Sequence, residues 1–471
     1  MPVNKRPTSK AIPNFDVIII GGGSAGVAAM EGAKAAGAKS VCLVESEARL
    51  GGECAYWACV PTKAMLKAAK LYHLAKYGLG KYGIHVGQVK YDFAAILKRR
   101  QAVVGALTGD GKRLLAYAKS LKITVKHGSA HFISDNMIDV KGERLRAKAF
   151  VIATGSKEKQ PVVDGLDTVD AWYSRDVVLM KRLPVSVAII GAGPIGSEFA
   201  TLFGLLGIKT TVLEYGEHIM PREDVEIATL AEASLHHLGV KVITKTKVLG
   251  LKRDGALTVV TFQEGRKPRR TLKVAKVIVA VGRAPNLAGL TLEKAHLAVN
   301  EFGRLDLTKS LQTDKPHIFA AGDVGSRFQF THMAAYEGYI AGWNAAQVKS
   351  KGKQLIAEDK VVPRITFTDP EVASVGLTVA EAAKAKKKIK IVRLPFSALG
   401  RAAIDGNRDG LLKIILDPKS GLILGAHVTG ERAGEIMHEL ALAMHAGLPF
   451  STIQAMLHAY PSWSEVIPAA Q

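Results

Sequence analysis

Two of the three cysteines in this 471-residue chain lie five positions apart, in Gly51-Gly52-Glu53-Cys54-Ala55-Tyr56-Trp57-Ala58-Cys59-Val60-Pro61-Thr62-Lys63. A close thiol pair can cycle between dithiol and disulfide and pass two electrons to an acceptor. Five helical positions turn a side chain through about 500°, so Cys54 and Cys59 do not face each other on one regular helix. They meet if Cys54 lies in a loop and Cys59 opens a helix, and the local residues predict that arrangement. Gly51-Gly52 suits a turn, and Pro61 belongs in a helix's first turn. Met65, Ala68, Ala69 and Tyr72 then recur on one helical face. A cysteine at a helix N-terminus meets the positive end of the dipole, which favours the thiolate. Cys42, among Val41, Leu43 and Val44, reads as an inert core thiol.

The stretches that must position this pair carry a repeated glycine pattern. Phe15–Ile20 reads as a strand, followed by Gly21, Gly23 and Gly26 at G-x-G-x-x-G spacing, a helix from Ala25 to about Ala36, and a strand over Ser40–Glu45. The glycines allow a tight turn, backbone approach to a pyrophosphate and close helix packing, and Glu45 falls where a carboxylate reaches ribose hydroxyls. A second copy follows. Ser186–Ile190 is its strand, Gly191, Gly193 and Gly196 its turn, Glu198–Leu206 its helix and Thr210–Glu214 its next strand. Glu214 would accept from a 2′-hydroxyl and repel a 2′-phosphate, and Tyr215-Gly216-Glu217 after it carry no arginine, so NADH is expected over NADPH. Two dinucleotide sites and a dithiol imply an electron relay, with cofactors carrying the chemistry. Three further glycine-containing segments end strands: Val151–Gly155, Val279–Asn286 with Gly282, and Ile318–Val324 with Asp323.

From about residue 14 onward the chain resembles the flavin-dependent pyridine nucleotide-disulfide oxidoreductases, the group of dihydrolipoamide dehydrogenase, glutathione reductase and mercuric reductase. The resemblance implies an α/β fold: two Rossmann-like dinucleotide-binding domains, for FAD and NAD, plus a C-terminal α+β interface domain that forms a homodimer. The expected layout is a basic tail over 1–13, FAD-binding parts over 14–155 and 285–358, an NAD(P)-binding domain over 156–284 and the interface domain over 359–471. It assigns Gly21, Gly23, Gly26, Glu45, Gly52, Thr154, Gly155 and Asp323 to FAD, and Gly191, Gly193, Gly196, Glu214 and Gly282 to NAD(H). Lys63 matches a lysine near the flavin and Glu198 its partner, a pairing that keeps the lysine charged. Cys59 matches the flavin-proximal thiol and Cys54 the thiol that attacks the acceptor. The implied function is hydride transfer from NAD(P)H through FAD to a Cys54–Cys59 disulfide and on to a small-molecule acceptor.

The C-terminal region carries short strands over Ile389–Leu394, Leu411–Leu416 and Leu422–Val428, then a helix over Gly434–Ala446. Ser451-Thr452-Ile453-Gln454 reads as a capping box opening another helix. In the family this tail completes the partner subunit's active site. Here it departs from the pattern. Where the family has a histidine before a proline, oriented by a glutamate, this chain has Tyr460, with Glu465 retained. A phenol titrates near 10 and is a poor base at neutral pH. His458, two residues away, is an alternative base. Mercuric reductases also have tyrosine near this place, but the chain lacks their usual C-terminal cysteine pair. Quinones, metal ions and other acceptors therefore stand as the alternative to a disulfide substrate, with Tyr56, Trp57 and Trp463 as candidates to line an apolar acceptor pocket.

Composition narrows the class. Three cysteines do not make a disulfide framework, which points to a reducing, cytoplasmic setting. No apolar run is long enough for a membrane span, and Met1–Pro13 lacks the apolar core of a secretory signal. The net charge is +22, but the basic residues are spread along the chain. Lys384–Lys388 is the dense run, with no interleaved aromatics, so no nucleic-acid partner is expected. No metal site is expected.

Overall fold

The computed structural model describes residues 11–348 and 352–471. They form two compact units, each assembled from three stretches. Residues up to 56, 104–157 and 283–358 make the first; 57–103, 158–282 and 359–471 make the second.

The first unit is built on the strand Asn14–Ile20. Its apolar run Val17-Ile18-Ile19-Ile20 is buried throughout, because both faces of the sheet are covered. Val17 and Ile19 join one core cluster and Ile18 and Ile20 the other, as the period-two alternation of a strand requires. Asn14–Ile20 pairs in parallel with Val41–Glu45 and with Glu143–Ile152, and Thr124–His127 pairs outside Val41–Glu45. The ten-residue strand Glu143–Ile152 is long enough for further partners. Its first half pairs with the antiparallel Met137–Val140 and its last residues with the parallel Ile318–Ala320. Cys42 is fully buried in this sheet, and burial pushes its thiol up to about 12.

Helices Ser24–Ala35 and Thr331–Ala346 cover one face and cross at backbone contact. A Cβ on Gly338 would lie 2.1 Å from the Ala25 carbonyl oxygen, and one on Gly342 2.0 Å from that of Ala29. Only glycine allows that approach.

In the second unit, Lys241–Ile243, Lys209–Leu213, Ser186–Ile190 and Lys276–Val279 form a parallel sheet, with the helix Pro194–Leu205 following the glycine turn. Thr246–Asp254, Leu257–Glu264 and Arg270–Val274 form an antiparallel sheet. The C-terminal part is a five-stranded antiparallel sheet among the described residues, ordered Arg364–Thr366, Glu371–Gly376, Ile423–Gly430, Leu411–Leu416 and Lys390–Pro395. The helix Ala433–Ala446 seals it through Ile436, Met437 and Leu440.

Two local expectations are corrected. Cys54 lies in a short helix, Gly52–Tyr56, rather than a loop. The positive φ values of Gly51 and Gly52 turn the chain sharply enough to start that helix, and Ala58, outside helical geometry, separates it from Cys59–His73. Ser451 does not cap the next helix, which spans Phe450–Gln454 behind Pro449 and has no side-chain cap. The Phe450 amide donates instead to the Gly421 carbonyl at 2.9 Å. No helix among the described residues is long and apolar enough to cross a membrane.

Candidate active site

Two neighbouring turns of the first unit meet at glycines. Gly21, at φ +106°, leaves no room for a side chain, since its Cβ would lie 2.3 Å from the Ala153 carbonyl oxygen. A Cβ on Gly26 would lie 1.8 Å from the Gly21 carbonyl oxygen. Gly23, by contrast, faces open space except for the Gly52 Cα, 3.8 Å from where its Cβ would be. The Gly51 amide donates to the Gly22 carbonyl at 2.8 Å. The glycine turn and the turn before Cys54 are thus bonded to each other, with a side-chain-free surface between Gly23 and Gly52. Glu45 closes one edge. It is buried, with its carboxylate accepting from the Gly22 amide at 2.7 Å, the Glu47 amide at 2.8 Å and the Ser46 hydroxyl at 3.1 Å.

The other edge gathers residues distant in sequence. Asn286 donates from its amide to the Thr154 carbonyl at 3.2 Å and from its backbone to the Gly155 carbonyl at 2.9 Å. The Thr154 hydroxyl is buried with no hydrogen-bond partner among the described residues. The Gly322 amide donates to buried Glu337 at 2.8 Å, which fixes the turn carrying Asp323. Asp323 accepts from the Ser156 hydroxyl at 2.5 Å. An open glycine cradle beside an orphaned hydroxyl and two fixed carboxylates fits a dinucleotide with a pyrophosphate and ribose hydroxyls.

The second glycine turn repeats the plan. A Cβ on Gly196 would lie 2.0 Å from the Gly191 carbonyl oxygen, whereas nothing stands within 4 Å of a Cβ on Gly193 or Gly282. Glu214 accepts from the Ala192 amide at 2.5 Å and the Gly216 amide at 2.6 Å.

Cys59 begins the helix Cys59–His73, and both Cys54 and Cys59 are half-buried. One turn beyond Cys59, Lys63 sends its ammonium to Glu198, at 2.6 and 2.8 Å from the two carboxylate oxygens. Glu198 also accepts from the Phe367 amide at 3.1 Å, and the Lys63 ammonium lies 4.8 Å from the Phe367 ring centroid.

The aromatic candidates have other duties. Tyr56 is buried, its hydroxyl donating to the Leu50 carbonyl at 3.1 Å, and Trp463 packs on Phe396 with ring centroids 5.4 Å apart. Tyr56 fills core space, and Trp463 is partly buried against the core of the C-terminal sheet. Trp57 is covered by the Arg175 guanidinium, 4.1 Å from its ring centroid.

In the tail, Tyr460 is 76% exposed, with its hydroxyl over Gly400. Glu465 does not orient residue 460. It accepts from the Ser462 amide at 2.9 Å, within a capping box of the helix Trp463–Val466. The His458 side chain is buried, bonded to Glu439 at 2.8 Å and the Met456 carbonyl at 2.9 Å, so both ring nitrogens are occupied within this chain.

The family model described as pyridine nucleotide-disulphide oxidoreductase matches residues 15–338, and that of its dimerisation domain matches residues 362–471. The chain belongs to this family. A dihydrolipoyl dehydrogenase of Thermus scotoductus is 37% identical over 96% of this chain and 95% of its own length. A mercuric reductase of Bacillus cereus is 31% identical over 97% of this chain and 71% of its own length. Among solved structures, the HOCl-induced flavoprotein disulfide reductase RclA from Escherichia coli superposes with a TM-score of 0.83 at 30% identity, covering 96% of this chain and 98% of that one. This pyridine nucleotide-disulphide oxidoreductase is therefore an FAD-dependent enzyme that uses NAD(P)H, with an α/β fold and a dimerisation domain.

Sequence reasoning missed Arg283, Ser156, Glu337 and Phe367. Arg283 lies in a segment noted only for Gly282, and no periodicity marks a residue whose role is to hold another.

Proposed function

We propose that the protein oxidises NADH and reduces a small disulfide through Cys54 and Cys59. The observation that carries this reading is the contact of Gly23 with Gly52, which lays the glycine cradle against the turn leading into Cys54. The first unit would hold FAD through Gly21, Gly23, Gly26, Glu45, Thr154, Gly155 and Asp323. Residues 156–284 would hold NADH, with Glu214 repelling the 2′-phosphate of NADPH, and residues 359–471 would form the homodimer. Bound FAD supplies two-electron transfer between the nicotinamide and sulfur.

The chain's own residues do the rest. Lys63, held in place by Glu198, offers a fixed cation toward developing negative charge. The Cys54 thiolate attacks one sulfur of the acceptor disulfide, breaking its S–S bond and releasing one thiolate. Cys59 then attacks the Cys54 sulfur, releasing the second thiolate and re-forming the Cys54–Cys59 disulfide. Protons for the two leaving thiolates come from solvent.

A second reading rests on Tyr460 itself. An exposed phenol in place of an imidazole favours acceptors that need no general base, such as a quinone or a metal ion. Turnover with lipoamide, menadione and Cu(II), in the full-length protein and its Cys54→Ala variant, separates the two. Lipoamide reduction abolished by C54A supports the first; menadione reduction that survives C54A, with no lipoamide turnover in either protein, overturns it.

A further inference from the structure

Arg283 ties the helix that carries Cys54 to the turn that carries Asp323. Its Nη2 donates to the Glu53 carboxylate at 2.5 Å and to the Ser156 carbonyl at 2.7 Å. Its Nε donates to the Ser156 hydroxyl at 2.7 Å, and that hydroxyl donates to Asp323 at 2.5 Å. The guanidinium is 15% exposed and the Glu53 side chain 43% exposed, so the bonds to Ser156 are shielded while solvent partly screens the Glu53 end. Its donors are locked in one plane, so bonds at two edges fix Glu53 against Ser156 as a lysine could not.

Glu53 immediately precedes Cys54 on the helix Gly52–Tyr56. An uncompensated carboxylate beside a thiol raises the cost of the thiolate. The guanidinium on Glu53 removes that cost. The charged groups close to this helix and its bridge include Arg49, 5.5 Å from the Tyr56 ring centroid, and Asp323 behind Ser156.

We propose that Arg283 is a positioning residue that keeps Cys54 reactive, by holding and neutralising the Glu53 carboxylate next to it. The proposal rests on the reading of Cys54 as the thiol that meets the acceptor.

The test is the rate at which iodoacetamide alkylates Cys54 in the reduced, FAD-loaded, full-length protein, followed by mass spectrometry of the Cys54 peptide. The thiolate displaces iodide, so at fixed pH the rate follows the thiolate fraction. Arg283→Met slows alkylation about tenfold at pH 7, the effect of one unit in thiol pKa. E53Q alkylates at least as fast as the parent protein. The double variant R283M/E53Q returns to within about twofold of it, since the repelling carboxylate is gone. A double variant as slow as R283M, an R283M rate equal to the parent's, or an E53Q rate as slow as R283M overturns the proposal. If R283M does not fold, E53Q alone decides by the same criterion. None of these failures touches the disulfide reading, which falls only if lipoamide turnover is missing or survives C54A.

Discussion

The Lys63 ammonium and the Glu198 carboxylate are 135 positions apart in sequence and 2.6 Å apart in space. One helix begins at Cys59 and the other at the second glycine turn, so the pair ties the helix Cys59–His73 to the second dinucleotide fold. Glu198 is buried and holds two donors, Lys63 and the Phe367 amide. Glu198→Ala leaves both without an acceptor. Because Lys63 is partly exposed, the expected stability loss is modest, about 1–2 kcal/mol by urea denaturation. The larger effect is on activity, with NADH-dependent turnover falling by about tenfold or more in stopped-flow measurements.

Gly52 sits at φ +65°, and its Cβ would lie 2.9 Å from the Gly23 Cα. Both the backbone and the space reject a side chain. Gly52→Ala should force the Cys54 turn off the glycine cradle. Purified G52A is expected to carry markedly less than one FAD per subunit, read from its visible absorbance, while far-ultraviolet circular dichroism stays near that of the parent.

Tyr460 stands where the family has an imidazole base. Tyr460→His introduces a group able to take and return a proton near pH 7. Under the disulfide reading, Y460H raises lipoamide turnover about tenfold or more at pH 7, with a rate that falls as the imidazole protonates below its pKa. An unchanged rate would mean that proton transfer at residue 460 does not limit turnover.

His427 is fully buried on the strand Ile423–Gly430, opposite Ser374 and Lys413. Its Nε2 meets the Leu377 carbonyl at 2.9 Å, and its Nδ1 has no hydrogen-bond partner among the described residues. The bonded nitrogen therefore carries the proton of a neutral ring. Burial pushes its pKa below the ordinary histidine value. The unfolded chain then takes up a proton that the folded chain refuses, so stability is full above about pH 6.5 and falls as pH drops through that value. His427→Gln should flatten the loss in denaturation midpoint between pH 7.5 and pH 5.5.

The parts of this fold that rest on local rules could be read from the residues. Val17–Ile20, Gly21, Gly23 and Gly26 announced a strand, a turn and a helix, and both acidic strand ends, Glu45 and Glu214, sit beside their glycine turns. Cys59 opens its helix as Pro61 required. The Lys63–Glu198 bond matches the pairing drawn from resemblance. What escaped depends on long-range contact. Nothing near Arg283 in sequence points to Glu53, 230 positions away, and nothing near His458 points to Glu439. Cys54 was misplaced because the five-residue helix around it is too short to show a period.

The crossing of Ser24–Ala35 with Thr331–Ala346 sets an order on synthesis. The ribosome releases the first strand and its helix early, but the helix that covers them and the strand Ile318–Ala320 beside Glu143–Ile152 come some 300 residues later. Until then the apolar backs of Ala25 and Ala29 have no Gly338 or Gly342 to receive them. The nascent chain must therefore keep its first unit unfinished while the middle of the second is made. A transcript cut short before residue 331 would yield a cofactor fold with one face bare, a natural target for chaperones and proteases.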